Sequence, residues 1–260
     1  MNTRILASLL VIGVVGAFAT GSTFALFNDT ETSQGNTFTA GAVDLQVDWN
    51  ESYNGESIQN VSLTDNPGPI FELDDVKPGD EGEATVSLHV FSNPAWMWMR
   101  ANQTVNAENS CVEPEEVAEE ELGIQDDGCG DEGELGENLY FTIWYDEDGD
   151  NVFEPDAQFD DGDLVLDGEE MIFNGTADEL DALADGGLQL DGDRFVEGDQ
   201  AYQNSTTQYI GIKWWVPLDV GNEVQTDSKE FDFEFFAEQE RNNPNPDNPF
   251  GDSDNGNGPQ

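Results

Sequence analysis

Hydrophobic and polar residues begin to alternate strictly at Val43. Val43, Leu45, Val47 and Trp49 fall on one side and Asp44, Gln46 and Asp48 on the other, the period of two that marks a half-buried strand. Ala84, Val86, Leu88 and Val90 repeat it, with Thr85, Ser87 and His89 on the polar side. The run Ala95 to Arg100, AWMWMR, extends that region with large residues on both faces. Leu139 to Tyr145, LYFTIWY, is apolar throughout and predicts a central strand, and Gln208 to Val216, QYIGIKWWV, predicts another. Glu230 to Ala237 alternates again, with Phe231, Phe233, Phe235 and Ala237 inward. Turn residues cluster between these runs, at Asp65-Asn-Pro-Gly-Pro69, Lys77-Pro-Gly-Asp80 and Asp219 to Asn222. Short strands punctuated in this way predict an all-β chain folded as a β-sandwich of jelly-roll type.

Two segments depart from the period of two and predict short helical insertions. Thr176-Ala-Asp-Glu179 is a capping box, followed by Leu180 and Leu183 and closed by Gly186-Gly187. Pro114 to Leu122 is rich in Glu, has Pro near a helix start, and lies in an acidic insertion over residues 101–137. The sandwich itself is expected over 26–241. Residues 242–260, NNPNPDNPFGDSDNGNGPQ, have no periodicity and predict a flexible polar tail. At the other end, Ile5 to Phe27 is free of charge and long enough to cross a bilayer as a helix. Thr23-Phe24-Ala25 places small residues three and one before a cut between Ala25 and Leu26, as a signal peptidase requires. Residues 1–25 are therefore expected to be a signal helix, with a retained anchor as the alternative. In both cases the body is exported, and it meets a membrane only through these residues.

Charge changes the picture of where the chain works. Acidic residues number 57 and basic ones 7, for a formal net charge of −50. Nucleic acids and anionic lipid surfaces are excluded as partners, because both are bound through Lys and Arg. The acids are spread along the whole chain, and self-repulsion on that scale opposes a compact state unless salt screens it. At molar salt the Debye length falls to about 3 Å, which points to a very salty milieu and a halophilic source. Six Trp and sixteen Phe exclude the other reading, an acidic disordered chain.

Candidate chemistry is sparse. Cys111 and Cys129 suit an oxidising compartment, and a disulfide between them would close a short loop worth roughly 3 kcal/mol. Asp146, Asp148, Asp150, Val152 and Glu154 stand at positions one, three, five, seven and nine of a loop like that of an EF-hand, with calcium as the candidate ion. Asn151 replaces the turn glycine there, and Ala157 stands where a closing Glu is usual, with Asp156 beside it. A solvated acidic turn is the competing reading. No nucleophile–base set is visible: the one histidine, His89, lies on the polar face of a strand, with no second imidazole and no zinc motif. An enzyme is not expected. Asn28, Asn50, Asn60, Asn102, Asn174 and Asn204 open sequons and are candidate glycan sites on exposed loops.

Thr23-Phe-Ala-Leu-Phe-Asn-Asp29, followed by Thr37-Phe-Thr-Ala-Gly-Ala-Val-Asp-Leu45, resembles the TasA/camelysin family of secreted proteins with a dedicated signal-peptide type. Val76-Lys-Pro-Gly-Asp80 is similar to that family's turn before the next strand, and Trp144 to Asp150, Val220 to Asp227 and Glu238 to Asn242 look like haloarchaeal members. The resemblance implies a jelly-roll subunit of an extracellular fibre, pilus or biofilm matrix, released by a dedicated signal peptidase. It also implies head-to-tail self-assembly, in which an N-terminal strand leaves its own subunit and completes the sheet of the next. Leu26, Phe27 and Phe38 are then the donor anchors, with pairing inside the same domain as the alternative. Some members are described as metallopeptidases, a weak implication here without a zinc motif. A third reading is a membrane-anchored or S-layer-associated adhesion domain.

The charge balance generates a first prediction. Dilution from molar KCl to 0.1 M should unfold the chain or lower its melting temperature steeply, as followed by circular dichroism. A salt-independent melting temperature would contradict the halophilic reading.

Overall fold

The alternating runs fold into strands, and the strands into two antiparallel sheets. The computed structural model describes residues 43–65, 68–73, 75–110, 113–124, 132–154, 158–160, 163–166, 169–180, 186–194 and 196–251. In chain order these form β1 (Asp44–Tyr53), β2 (Glu56–Thr64), β3 (Glu81–Phe91), β4 (Ala95–Ala107), helices α1 (Glu113–Leu122) and α2 (Leu135–Asn138), then β5 (Tyr140–Asp146), β6 (Gln158–Asp160), β7 (Asp163–Leu166) and β8 (Met171–Thr176). Helix α3 (Ala177–Leu180), β9 (Leu188–Leu190), β10 (Thr206–Trp215) and β11 (Ser228–Gln239) complete the order. One sheet has the order β2-β1-β3-β10-β5-β8, the other β11-β4-β9, and β6 and β7 pair by themselves. The two larger sheets pack face to face as the expected β-sandwich.

A single ladder rolls from one sheet into the other. β3 pairs with β10 over its length, from Glu81 opposite Trp215 to Val90 opposite Thr206. After the turn at residues 92–94, Ala95 bridges Tyr202, and Met97 to Met99 pair with Leu190 to Leu188. The β3–β4 segment and the β9–β10 segment thus both pass from one sheet to the other and stay paired across the crossing. The inward residues of β3 and β4, Ala84, Val86, Leu88, Val90, Met97 and Met99, are sealed from solvent. Ile210 and Ile212 of β10 and Ile143 of β5 meet them in the same cluster.

Local chemistry explains several details. Asn54 and Gly55 both have positive φ, 49° and 78°, the conformation that a two-residue hairpin turn between β1 and β2 needs. β2 itself, ESIQNVSLT, carries little apolar alternation because it is an exposed edge, and periodicity gives no sign of it. The Lys77–Asp80 turn is held by the Asp80 carboxylate, which accepts from Tyr53 Oη at 2.6 Å, Asn54 Nδ2 at 2.9 Å and the Lys77 N–H at 2.8 Å. Burial raises the Asp80 pKa, but these hydrogen bonds outweigh it and hold the carboxyl below its usual range. The capping box is real: the Glu179 carboxylate accepts from the Thr176 N–H at 2.9 Å, and Thr176 Oγ1 accepts from the Glu179 N–H at 3.3 Å. On the outer face Trp144 lies opposite Gly211, where a Cβ would sit 2.2 Å from the indole. Only glycine leaves room for that ring.

Two expected boundaries shift. The acidic excursion begins after Ala107 rather than at Ala101, because residues 101–107 continue β4 against β11. The chain beyond Asn242 is docked as far as Gly251. Phe250 stacks edge-on against Phe236 at 6.3 Å and lies 4.5 Å under the Arg100 guanidinium, and the Asn243 carbonyl accepts from Trp96 Nε1 at 2.7 Å. That segment covers the outward aromatics of AWMWMR, which accounts for the large residues on both faces of β4.

One inward position is anomalous. Glu51 follows Val47 and Trp49 on the core side of β1 and is 2% exposed, with its Oε1 lacking a hydrogen-bond partner. Burial pushes its carboxyl from 4.5 up to about 7. A carboxyl raised on folding costs nothing below its unfolded pKa, and its full cost is present above the folded one. Glu51→Gln should therefore raise stability by about 1–3 kcal/mol at pH 8 and have little effect at pH 4. Urea unfolding at constant high salt measures the difference, and equal effects at both pH values would refute it.

Candidate functional site

The edges of the sandwich differ in what they offer. Among the described residues β9 has three residues, β8 is interrupted by a register shift against β5, and β2 is polar. Among the described residues β11 is twelve residues long and pairs on one side only, with β4. Its inward side chains Phe231, Phe233, Phe235 and Ala237 pack against the core yet stay only partly buried, whereas their counterparts on β3, β4 and β10 are sealed. The shortfall in cover lies along an open groove of about 290 Å³. Val43 just before β1 and Leu45 and Val47 within it line one wall, and Phe233, Phe235 and Ala237 the other. An unpaired row of backbone groups beside a half-covered apolar strip is a template for one more strand.

The expected cation loop closes as a loop. Asp146 ends β5 and is 1% exposed; its Oδ1 accepts from the Gly149 N–H at 2.9 Å and its Oδ2 from the Asn151 N–H at 3.0 Å. Carboxylate oxygens of Asp146, Asp148 and Asp150 lie within 4.8 Å of one another, a set able to hold a hard cation. Asn151 takes the left-handed conformation, with φ at 63°, as its place in the turn requires. Val152 and Glu154 enter through their backbones: the Val152 N–H donates to Asp150 Oδ1 at 2.8 Å and the Glu154 N–H to Glu169 Oε2 at 2.8 Å.

Sequence reasoning missed Glu169. Its second oxygen accepts from the Glu147 N–H at 2.9 Å, so one carboxylate straps both ends of the loop. Burial, and then the charges of Asp146, Asp148 and Glu154 against one opposing N–H, push Glu169 up to about 7. Asp146 is raised first by burial, with Asp148 and Asp150 adding to it. Arg194 supplies the counter-charge, pairing with Glu147 and lying 3.7 Å from Glu170 over the Tyr145 ring. The loop covers the outer face through Phe153, which packs edge-on against Trp144 at 6.0 Å.

His89 is not an isolated surface residue. Its Nε2 lies 2.8 Å from Asp48 Oδ2 and its Nδ1 2.9 Å from Thr207 Oγ1, a carboxylate–imidazole–hydroxyl line across β1, β3 and β10. That order is shared with nucleophilic hydrolases. Here β3 is paired on both sides, so its N–H groups serve the ladders rather than an oxyanion. The line pins three strands. Only the cross-strand register reveals it.

The remaining expectations divide by position. Asn50, Asn60, Asn102 and Asn174 lie in strands rather than loops, and Asn204 in the turn before β10. Asn102 is half-buried and the other four are exposed. Asn60 Nδ2 donates to Asn50 Oδ1 across the β1–β2 ladder, which uses the atom a glycan would substitute. Residues 1–25, the Ala25–Leu26 cut, Phe27, Asn28, Phe38, Cys111, Cys129, Asp156 and Ala157 lie outside the described residues. Compared with known proteins, the chain matches no family model and no curated protein.

The strap generates a local prediction. Glu169→Ala removes the acceptor of two N–H groups, at about 1–2 kcal/mol each. Amide exchange at Glu147 and Glu154 should accelerate by roughly tenfold or more while β3 stays protected. Unchanged exchange at both amides would show that Glu169 does not hold the loop.

Proposed function

We propose that the chain is a secreted structural subunit of an extracellular fibre, pilus or biofilm matrix, and that residues 26–38 of one subunit pair with β11 of the next. The observation that carries this reading is the long one-sided edge of β11 beside the half-covered groove. Lengths agree. Thirteen residues from Leu26 to Phe38 span on the order of 40 Å at about 3.3 Å each, and the twelve of β11 span about the same. Apolar residues of such a strand, Leu26, Phe27 and Phe38 among them, would cover the exposed faces of Phe233, Phe235 and Ala237. The contact joins two different surfaces of the subunit, so it does not close on itself and extends into a filament. Backbone pairing supplies affinity, and the groove supplies register. The resemblance of the Thr23–Leu45 segment to the TasA/camelysin family supports the same reading.

Electron microscopy of the mature chain at molar salt tests it. Filaments are expected from the chain beginning at Leu26 and none from a variant beginning at Ala40. Ala237→Trp, which fills the groove and leaves the N-terminal segment intact, should also stay monomeric with an unaltered circular dichroism spectrum. Filaments from the Ala40 variant would refute strand donation. A folded, monomeric mature chain would favour pairing within one subunit and the anchored surface-domain reading.

A further inference from the structure

The outer face of the six-stranded sheet carries a trough of about 560 Å³ that takes no part in the fibre reading. Register across β3, β10 and β5 builds it. Trp215 lies opposite Glu81 on one side and Tyr140 on the other, and Lys213 lies opposite Glu83 and Thr142. Gly211 lies opposite Trp144, whose indole rests on it. Along β10 the lining therefore runs aromatic, polar, aromatic over four residues, on the order of 13 Å at about 3.3 Å each.

Both ends of the trough are braced by a second ring. Tyr140 stacks on Trp215 with centroids 5.5 Å apart and planes at 19°, and Trp215 stays half-buried. At the other end Phe153 packs edge-on against Trp144, and Val152 and Met171 form an apolar rim, 53% and 40% exposed. The floor between them is polar. Lys213 Nζ donates to Glu83 Oε1 at 3.0 Å and lies 3.2 Å from Glu81 Oε2, which leaves the third of its N–H donors for a ligand. Thr142 Oγ1 donates to Asn174 Oδ1 at 3.2 Å and keeps its capacity to accept. Trp144, 2% exposed, has an indole N–H with no acceptor, and Asn151 Oδ1 has no donor. Both side chains line the trough. Its wall thus holds an unmet donor and an unmet acceptor whose complements the described residues do not supply.

The chemistry of this lining narrows the ligand. A phosphate or other anion meets two carboxylates against one ammonium and is repelled. A cation finds the place between the carboxylates already taken by Lys213. A lipid chain would strip water from that ion-paired floor and return no hydrogen bond. A neutral ligand with apolar faces and a rim of hydroxyls suits every part. A pyranose is such a molecule: its C–H faces lie flat on the electron-rich face of an aromatic ring, and its hydroxyls both donate and accept. The distance between the aromatic ends suits linked rings rather than a single one. The volume also falls within the roughly 300–1,000 Å³ of small-ligand sites.

We infer that the trough between Trp215 and Trp144 binds a neutral saccharide chain, with Trp215 as the stacking platform and Lys213, Glu83 and Thr142 holding hydroxyls. Such contacts exchange hydrogen bonds to water for hydrogen bonds to protein, so affinity is modest, with a Kd of about 10 μM to 1 mM. The site lies in the sheet that does not contain β11, and it is independent of strand donation.

Calorimetric titration of cellohexaose, maltohexaose, laminarihexaose and chitohexaose into the full chain in molar KCl tests the site. At least one of the four should bind and change the tryptophan fluorescence. Trp215→Ala should weaken that binding by about tenfold or more and Thr142→Val by about fivefold, with circular dichroism confirming the fold. If Trp215→Ala fails to fold, Thr142→Val, which keeps shape and strand preference, carries the test. Phe236→Ala, on the other sheet, should leave the affinity unchanged. Asn174 lies opposite Thr142 and opens a sequon, so Asn174→Gln is titrated as well. Binding gained only in that variant would support the saccharide site and identify the chain's own glycan as its occupant. No binding by either chain to any of the four would overturn the inference. So would undiminished binding in Trp215→Ala and Thr142→Val, or an equal loss in Phe236→Ala.

Discussion

A strand paired on both sides and sealed on its inner face has nowhere to move, and β3 is that strand. β1 lies along one edge of it and β10 along the other, each in unbroken antiparallel register. Its inward Ala84, Val86, Leu88 and Val90 are fully buried. A slip of one residue would turn all four outward, so the hydrophobic pattern and the ladder fix each other. From this strand the ribbon crosses at residues 92–94 into β4, and the second sheet hangs from that crossing. The His89 line to Asp48 and Thr207 adds polar ties on the opposite face, where the burial of apolar surface gives no guidance.

The scarcity of cations governs the polar architecture. Arg100 pairs with Glu234, Arg194 with Glu147 and Glu170, Lys213 with Glu81 and Glu83, and Lys229 with Asp178. All four of these side chains join elements distant in sequence: Arg100 links β4 to β11, Arg194 links the chain after β9 to the loop after β5, Lys213 links β10 to β3, and Lys229 links β11 to α3. With so few positive charges, other acidic convergences must be met differently. Backbone N–H groups serve the Asp146 loop, and at Glu51 burial raises the carboxyl to about 7.

The sandwich is closed unequally, and the proposed function rests on that inequality. Along β3, β4 and β10 the core is sealed, while along β11 the phenylalanines remain half-covered. Apolar surface left open beside an unpaired backbone is ordinarily an aggregation hazard. Here Glu230, Asp232, Glu234 and Glu238 alternate with the inward residues along the same strand. Their charge discourages random association of like strands, which suits the proposed pairing with a strand of lesser charge.

The chain by itself determined most of the framework. Strict alternation at Val43–Trp49, Ala84–Val90 and Glu230–Ala237 assigned strands and faces, because a period of two has one solution on a pleated surface. The capping box at Thr176 and the left-handed Asn151 were equally legible, since their chemistry is local. Pairing across the sandwich decided the rest. Glu169 straps a loop that ends fifteen residues earlier, and Phe250 covers Trp98 through Phe236. None of these contacts has a local signature, because each depends on which distant strands become neighbours. β2 was silent for the opposite reason: an exposed edge strand needs no apolar face, so periodicity had nothing to record.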